Sequence, residues 1–327
     1  MTSFNVAVVF MIFNRPEAAR GTLRAISAIR PTRLLVIADG PRPGHPTDAA
    51  RCKETREVLK EIDWPCDVET NFSDSNLGTR RRFVSGLDWA FSRAEEVVIL
   101  EDDCVPDPSF FPFCQEMLER YRDDNRVMAV CGRTSAAGQK RNSDYSYYFS
   151  TLYTSWGWAS WRRAWEKFDV EMKEWPAVRR QGYLKDLFND RGAARFWTTT
   201  LNLVHSNDLN SFSYRFQFSC WLNNALIIKP TCHLVRNIGI GAEATMTKDM
   251  IGDVNKLMGS MQFPLRHFPH MVPDRLSDLD NLRRGYYRPF YKRAYLKLRH
   301  IARSLRRNNG ESGTSRLPQI GSGAVRR

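Results

Sequence analysis

The segment VVILEDD, residues 97–103, changes from apolar to acidic within a single residue. Its first four residues are typical of a β-strand that is buried on both faces. Glu101, Asp102 and Asp103 (the acidic cluster) follow at once, and burying three carboxylates without partners would cost several kcal/mol or force protonation. A divalent cation would offset that repulsion, and oxygen ligands suit Mg²⁺ or Mn²⁺. The segment therefore predicts a metal site at the end of a buried strand, with a solvated acidic turn as the alternative.

Apolar runs of the same kind recur on both sides of this segment, at residues 6–13, 34–38 and 127–131. Helical patterns separate them, so strands and helices alternate through the first 132 residues. This alternation predicts an α/β fold with a mostly parallel sheet and helices on both of its faces. Because ligands of such sheets bind beyond the carboxyl ends of the strands, we expect Asp39, Asn76 and the acidic cluster to meet at one edge.

The composition is that of an ordinary globular protein, since 42% of the 327 residues are apolar and 26% are charged. Seven cysteines without a C-x-x-C pair argue against a disulfide framework and against a structural zinc site. The N-terminus has neither the flanks of a signal peptide nor an apolar run long enough to span a membrane. These features together predict a cytoplasmic protein.

The net charge of +13 is concentrated at the C-terminal end of the chain, where residues 281–327 hold 13 Lys and Arg and one acid. Within the basic segment 281–307, the residues from Pro289 onward, read as a helix, present an apolar stripe with basic flanks. This pattern predicts peripheral attachment to an anionic membrane surface, at the inner face of the membrane. Packing of the stripe on the rest of the protein is the alternative. Nucleic acid is not expected as a partner, because residues 1–280 offer no basic groove. Residues 308–327 are rich in Gly, Ser and Arg and are predicted to be disordered.

Four motifs follow one another in a fixed order: FNRP at 13–16, ADGP at 38–41, NLG at 76–78 and VVILEDDCVPDPSFF at 97–111. In this order they resemble the nucleotide-sugar glycosyltransferases of the Rossmann-like GT-A fold. The last motif is especially similar to the corresponding segment of N-acetylglucosaminyltransferase I. The resemblance implies a metal-dependent transferase that takes a hexose or N-acetylhexosamine from a nucleotide sugar, expected to be a UDP-sugar.

Two later motifs, SWGWASWRRAW at 155–165 and NIGIG at 237–241, resemble a bacterial branch of family 2-like transferases. This implies a glycan or lipid-linked acceptor and a place in bacterial surface polysaccharide synthesis. It also implies a nucleotide-sugar-binding half, residues 1–132, and an aromatic-rich acceptor-binding and catalytic half, residues 133–280. A sugar nucleotidyltransferase and a P-loop nucleoside triphosphatase are disfavoured, because the sequence contains neither of their phosphate-binding loops.

The resemblance implies a role for each of the early motifs. Asp103 is the expected metal ligand, and Asp102 is expected close to the ribose or to the donor sugar. The other positions expected to border the nucleotide and its diphosphate are Asn14, Arg15, Asp39, Asn76, Gly78 and one arginine of the run 80–82, taken here as Arg81.

The tryptophans of the second half allow two interpretations. Trp158, Trp161 and Trp165 have the i, i+3, i+7 spacing of one helix face, which favours packing in the core. In the alternative, Trp156 or Trp158, beside a turn at Gly157, forms the floor of a sugar site. An aromatic face packs well on the C–H face of a pyranose, and glycine allows a close approach.

An inverting transfer needs a carboxylate that deprotonates the acceptor hydroxyl. At the place where the related transferases have this acid, the chain has Ser211 and Ser213. The nearest carboxylate, Asp208, is therefore the predicted catalytic base, ahead of Asp186 and Asp190.

Met246 is a second departure, because a histidine ligand to the metal is expected at that position. The two departures leave an alternative function open. The protein would then be a degenerate, membrane-attached scaffold that binds a nucleotide sugar without turnover.

Overall fold

The computed structural model describes residues 4–239 and 258–283 of the chain. Its strands are β1 (Ala7–Ile12), β2 (Arg33–Ala38), β3 (Asp67–Phe72), β4 (Glu96–Glu101), β5 (Cys104–Pro106), β6 (Val127–Cys131), β7 (Tyr147–Ser150), β8 (Trp158–Trp161), β9 (Leu226–Pro230) and β10 (Val235–Asn237). Its α-helices are α1 (Pro16–Ser27), α2 (Asp48–Glu57), α3 (Gly78–Arg93), α4 (Phe110–Arg120), α5 (Ala136–Arg141), α6 (Arg162–Trp165), α7 (Trp175–Gln181), α8 (Tyr183–Phe188), α9 (Arg191–His205), α10 (Phe212–Leu222) and α11 (Arg275–Asn281). A 3₁₀-helix, Val58–Glu61, continues α2.

Eight of the strands form one sheet in the order β3-β2-β1-β4-β8-β6-β9-β7. Strands β1 to β4 pair in parallel, and β6 pairs in parallel with β9. Right-handed crossovers place α1 and α2 on one face of the sheet and α3 on the other, because the chain reverses direction across the sheet between β3 and β4. The predicted α/β fold with a mostly parallel sheet and helices on both faces is confirmed.

The central strands form where the sequence is continuously apolar. All residues of β1 and β6 are buried, and in β2 and β4 only terminal residues are partly exposed. Because both faces of such a strand are covered, no position in it suits a polar side chain. The apolar residues are therefore continuous in the sequence and do not alternate with polar ones. The edge strand β3 is more polar and more exposed.

Trp158–Trp161 is a strand, so the predicted helix through Trp158, Trp161 and Trp165 is wrong. The segment is strand β8, inserted antiparallel between β4 and β6. In a strand the i, i+3 spacing sends Trp158 and Trp161 to opposite faces of the sheet. Helices cover both faces, so all three tryptophans are buried, and the expectation that they pack in the core is confirmed.

A small ribbon positions the acidic cluster. Strand β5 begins at Cys104, immediately after the cluster, and pairs antiparallel with β10 so that Cys104 lies opposite Asn237. The backbone N–H of Ile238 then donates to the carbonyl oxygen of Asp103 at 2.8 Å. Two segments that are 134 residues apart in sequence are therefore joined beside the carboxylates.

None of the helices in residues 4–239 and 258–283 is long and apolar enough to cross a membrane. Several sequence-based expectations concern residues outside this part of the chain. They include the NIGIG motif beyond residue 239, the departure at Met246, and nearly all of the basic segment 281–307 with the tail 308–327.

Candidate functional site

The carboxyl ends of β1, β2 and β4 open into a pocket of about 460 Å³, a size typical of ligand sites. Its two sides differ in origin. The strand-end floor consists of residues at those three strand ends and at the start of α3, and the acidic cluster belongs to it. The opposite wall consists of residues 152–156 and 210–214.

Asp39, on the strand-end floor, holds the start of α3 in place. Its carboxylate accepts hydrogen bonds from the backbone N–H groups of Leu77 (2.9 Å) and Gly78 (3.0 Å) and from Nδ2 of Asn76 (3.1 Å). A carboxylate in this position satisfies orphan donors at the helix start and interacts favourably with the helix dipole. Asp39, Asn76 and Gly78 all line the pocket, so three of the predicted site residues lie together.

The acidic cluster forms the deep part of the strand-end floor. Burial raises the pKa of Asp102 to about 7, against the opposing effect of the Arg15 guanidinium. Burial and the carboxylates of Asp103 and Asp102 raise the pKa of Glu101 well above its ordinary value. The backbone N–H of Phe13 donates to Oδ2 of Asp102 at 3.2 Å. Burial and mutual repulsion thus disfavour the charged forms of Glu101 and Asp102.

Arg15 lies beside the acidic cluster and offsets part of its negative charge. Its Nη1 lies 2.7 Å from Oδ2 of Asp103 and 3.5 Å from Oδ1 of Asp102. The other oxygen of Asp103, Oδ1, accepts from Nδ2 of Asn237 at 3.1 Å. A Cβ on Gly239 would lie 2.1 Å from Oδ2 of Asp103 and 2.9 Å from Nη1 of Arg15. Only glycine can therefore pass this close to the ion pair.

These contacts test whether the residues suit a divalent metal. The hard oxygen donors and the surplus of carboxylates are favourable. The hydrogen bonds of Asp103 are unfavourable for a metal, because Arg15 and Asn237 donate to its two oxygens. Within residues 4–239 and 258–283, no three His, Cys, Asp or Glu side chains are grouped so that they could hold a metal ion. The described arrangement therefore does not fit a bound metal unless Arg15 leaves Asp103.

Asn14 contributes from behind the pocket. Its Nδ2 donates to Oδ1 of Asp48 at 2.8 Å. The same buried carboxylate accepts from Nε of Arg42 at 2.6 Å, and the hydrogen bonds from Arg42 lower the pKa of Asp48 well below its ordinary value. Arg42 reaches the pocket and lies over the ring of Phe13, 5.5 Å from its centroid. Sequence reasoning missed Arg42 and Asp48, which have no motif of their own.

The arginine of the run 80–82 that reaches the pocket is Arg82 and not Arg81. Arg82 is buried and donates to the carbonyl oxygen of Ala38 at 3.1 Å and to Oδ1 of Asn71 at 2.6 Å. Arg81 is exposed and lies outside the lining. Consecutive residues of a helix point about 100° apart, so only one of them can face the sheet beside Phe83.

Trp156 lines the opposite wall, and the guanidinium carbon of Arg133 lies 4.3 Å from the centroid of one of its rings. Trp158 lies behind the wall with 0% of its surface exposed, packed against Tyr153 and Phe216. The structure therefore gives Trp158 a place in the core and not the predicted ligand contact. Gly157, at φ +63°, makes the turn between the two tryptophans without lining the pocket.

Asp208 is exposed and outside the pocket, where its carboxylate accepts from Oγ of Ser206 at 2.7 Å. The structure thus does not bring the predicted base to the site. Asp186 is exposed as well, and Asp190 caps the start of α9. The nearby pocket residues are Asn210, Ser211 and Ser213, which are neutral. In the described part of the lining, the carboxylates belong to the strand-end floor alone: Asp39, Glu101, Asp102 and Asp103.

Comparison with protein-family models gives no match, and comparison with curated proteins gives none either. Among solved structures, the chain is similar to a mannosyltransferase from Pyrobaculum calidifontis in complex with GDP-Man and Mn²⁺. The two chains are 13% identical, with a TM-score of 0.37, over 67% of this chain and 69% of that one. Similarity at this level carries neither ligand nor mechanism over to this chain.

Proposed function

We propose that the protein is a glycosyltransferase that binds a nucleotide sugar in this pocket. The observation that carries the proposal is one cavity in which phosphate-binding and hydroxyl-binding groups meet at the carboxyl ends of parallel strands. Guanidinium groups pair with phosphate, carboxylates accept from ribose and sugar hydroxyls, and an aromatic ring packs on a pyranose. The cationic lining residues are Arg15, Arg42, Arg82 and Arg133, and they share the cavity with the four carboxylates and with Trp156.

The reaction would be attack of an acceptor hydroxyl on the anomeric carbon of the donor sugar. The new glycosidic C–O bond forms while the bond to the nucleoside diphosphate breaks, and the hydroxyl proton passes to a base. Negative charge then develops on the leaving diphosphate. Arg15 and Arg82, which line the strand-end floor, would stabilise this charge. Asp102 would orient the donor by accepting from a ribose or sugar hydroxyl. Asp39, whose two oxygens already accept from four protein donors, would act by holding the start of α3 in place beside the nucleotide.

The finer assignments depend on the sequence resemblance. We propose a hexosyl or N-acetylhexosaminyl donor, with UDP as its nucleotide, and a glycan or lipid-linked acceptor in surface polysaccharide synthesis. Dependence on Mn²⁺ or Mg²⁺ and attachment to an anionic membrane through residues 281–307 are also part of the proposal. No catalytic step is assigned to the metal, since Asp103 is paired with Arg15.

Nucleotide release from the purified full chain tests the proposal. UDP-glucose, UDP-galactose, UDP-N-acetylglucosamine and GDP-mannose would be compared with and without Mn²⁺, and even slow hydrolysis counts as turnover. Asp103→Asn is the matched control, with an unchanged far-ultraviolet circular dichroism spectrum to show that it folds. If none of the four binds to the wild type and none is turned over, the proposed function is wrong.

The second candidate is binding of a nucleotide sugar without turnover. It is favoured by the opposite wall, whose described residues at 210–214 carry no carboxylate near the expected acceptor, and by the exposed position of Asp208. Calorimetry and the nucleotide-release assay together distinguish the two functions. Saturable binding of a nucleotide sugar with no nucleotide release, for any acceptor tested, would support the scaffold.

A further inference from the structure

The guanidinium of Arg42 is fixed in one orientation at the edge of the pocket. Its Nε donates to Oδ2 of Asp48 at 2.6 Å, and its Nη2 donates to Oδ1 at 2.9 Å. Two parallel bonds of this kind hold both planar groups in register. The Asp48 carboxylate is buried and also accepts from Nδ2 of Asn14 at 2.8 Å and from the backbone N–H of Arg42 at 3.1 Å. It therefore cannot turn away from Arg42 without losing several bonds at once.

These bonds use only part of the hydrogen-bonding capacity of Arg42. A guanidinium has five N–H donors in one plane and no acceptor. Asp48 accepts from two of them, and the Arg42 side chain donates to no other group in residues 4–239 and 258–283. Arg42 lines the pocket, and 44% of its side chain is exposed. Because the buried Asp48 covers one edge of the guanidinium, the exposed edge is the one that carries the three remaining donors.

An aromatic ring lies beside Arg42. The guanidinium carbon is 5.5 Å from the centroid of the Phe13 ring, and Phe13 lines the pocket as well. The backbone N–H of Phe13 donates to Oδ2 of Asp102 at 3.2 Å, which fixes this residue directly after β1. A planar ligand ring that packs on Phe13 would bring its own edge within reach of the free donors of Arg42.

The charge of Arg42 favours a neutral acceptor over a phosphate, because the carboxylate of Asp48 already neutralises its guanidinium. Arg82 differs in this respect, since it donates to neutral groups, the carbonyl oxygen of Ala38 and the side chain of Asn71. Arg82 therefore keeps its charge for a diphosphate. What Arg42 retains is directional hydrogen bonding, which suits the carbonyl oxygens of a nucleobase.

We infer that Arg42, positioned by Asp48, binds the base of the nucleotide and selects bases that present a carbonyl oxygen, uracil or guanine. The inference rests on the proposed function and extends it to the choice of nucleotide. Cytosine and adenine carry an amino group where uracil and guanine carry that oxygen. An amino group that faces a guanidinium places donor against donor, so both groups lose hydrogen bonds that water would give them.

Nucleotides without a sugar test the base contact directly. Binding of UDP, CDP, GDP and ADP to the full chain would be measured by calorimetry, and the quantity of interest is the preference for UDP over CDP or for GDP over ADP. Both members of a pair carry the same ribose and diphosphate, so the ratio of their affinities reports the base. We expect the wild type to prefer uracil over cytosine, or guanine over adenine, by at least about tenfold.

Arg42→Gln removes the donor edge at an exposed position. Glutamine both donates and accepts, so it tolerates either base of a pair, and the preference should fall below about threefold. Arg81→Gln is the matched control, because it makes the same substitution at an exposed arginine outside the pocket lining. It should keep the wild-type preference and bind each nucleotide within about twofold of the wild type.

Asp48→Asn tests the positioning role. It leaves Arg42 in place but removes the charge that holds it, so the preference should fall toward that of Arg42→Gln, and the double variant should show no further loss. A merely structural role would lower the unfolding midpoint in urea and weaken all four nucleotides equally, with the preference unchanged. If Asp48→Asn fails to fold, Arg42→Gln still decides the base contact.

The outcomes separate this inference from the proposed function. If the wild type binds nucleotide sugars but shows no preference within either pair, the inference is overturned and the proposed function stands. The same holds if Arg42→Gln keeps the preference, or if it weakens all four nucleotides equally, since the contact would then be to the phosphate. If the wild type binds neither nucleotides nor nucleotide sugars, the proposed function and the inference are both wrong.

Discussion

The two sides of the pocket are built on different principles. On the strand-end floor, charged groups are already paired within the protein: Asp39 with the start of α3, and Asp103 with Arg15 and Asn237. In the described lining, residues 152–156 and 210–214 of the opposite wall are neutral, although the guanidinium of Arg133 lies over Trp156. The floor is thus organised before any ligand binds, as electrostatic stabilisation requires. The wall instead presents neutral hydroxyl, amide and aromatic side chains to the pocket.

The largest expected effect comes from breaking the floor at its central carboxylate. Asp103→Asn removes the charge that Arg15 neutralises, and we expect nucleotide release to fall at least about 100-fold, because loss of one preorganised charge typically costs about 3 kcal/mol. Asp208→Asn is the matched control on the wall side. It should keep activity within about twofold, since Asp208 is exposed outside the lining. If activity survives in Asp103→Asn, or is lost in Asp208→Asn, the strand-end floor is not the side of the pocket on which activity depends.

Gly239→Ala tests how tightly the floor is packed. The new Cβ would overlap Oδ2 of Asp103 and crowd Arg15, so the charge-assisted bond between them must lengthen. A bond of this kind contributes about 1.5–3 kcal/mol, and we expect roughly a tenfold loss of nucleotide affinity by calorimetry. Gly21→Ala is the control, because its Cβ would meet no atom nearer than 3.7 Å and it lies within helix α1. That variant should bind normally and unfold at the same or higher urea concentration.

Arg15→Gln asks whether the ion pair competes with a metal. If Asp103 binds Mn²⁺ only after Arg15 leaves, removing the guanidinium should raise the affinity for Mn²⁺ about fivefold, the equivalent of an ion pair of about 1 kcal/mol. Electron paramagnetic resonance of free Mn²⁺ measures this without turnover. Arg42→Gln, which leaves the acidic cluster untouched, should not change the affinity. Weaker Mn²⁺ binding in Arg15→Gln would contradict competition at Asp103.

The smallest effect at pH 7 concerns His233, next to Arg133 on the wall side. Its Nδ1 accepts from the backbone N–H of Thr134 at 3.1 Å, and burial, with Arg133 and Lys229, lowers the pKa of His233 to about 3. The folded ring stays neutral while the unfolded one is protonated below about pH 6.5. Unfolding free energy should therefore fall by up to about 1.4 kcal/mol per pH unit as the pH drops from 6.5 toward 3.

Urea unfolding of the wild type and His233→Gln over this pH range checks the prediction. The variant lacks the titrating ring, so its stability should decrease less steeply with acidification. Parallel curves would show that His233 contributes nothing to the pH dependence of stability. A steeper decrease for the variant would show that the predicted contribution of His233 has the wrong sign.

Much of the floor could be predicted from the sequence alone. Continuous apolar runs located β1, β2, β4 and β6, because a strand covered on both faces cannot tolerate polar positions. The convergence of Asp39 with the acidic cluster followed from the parallel order of those strands, which brings their carboxyl ends to one edge. Both conclusions depend on the local hydrophobic pattern of the sequence, which indicates which residues are buried.

Which side chains contact each other was decided only by the tertiary structure. The tryptophan spacing of 158–165 suited a helix, yet the segment begins with strand β8, since hydrophobicity does not specify which neighbour a buried residue meets. The choice of Arg82 over Arg81 depended on the rotation of α3 against the sheet. The ion pair of Arg15 with Asp103 joins residues 88 positions apart, and the hydrogen bond of Asn237 to Asp103 joins residues 134 positions apart. Such features are long-range contacts of single atoms, and they exist only once the elements have packed.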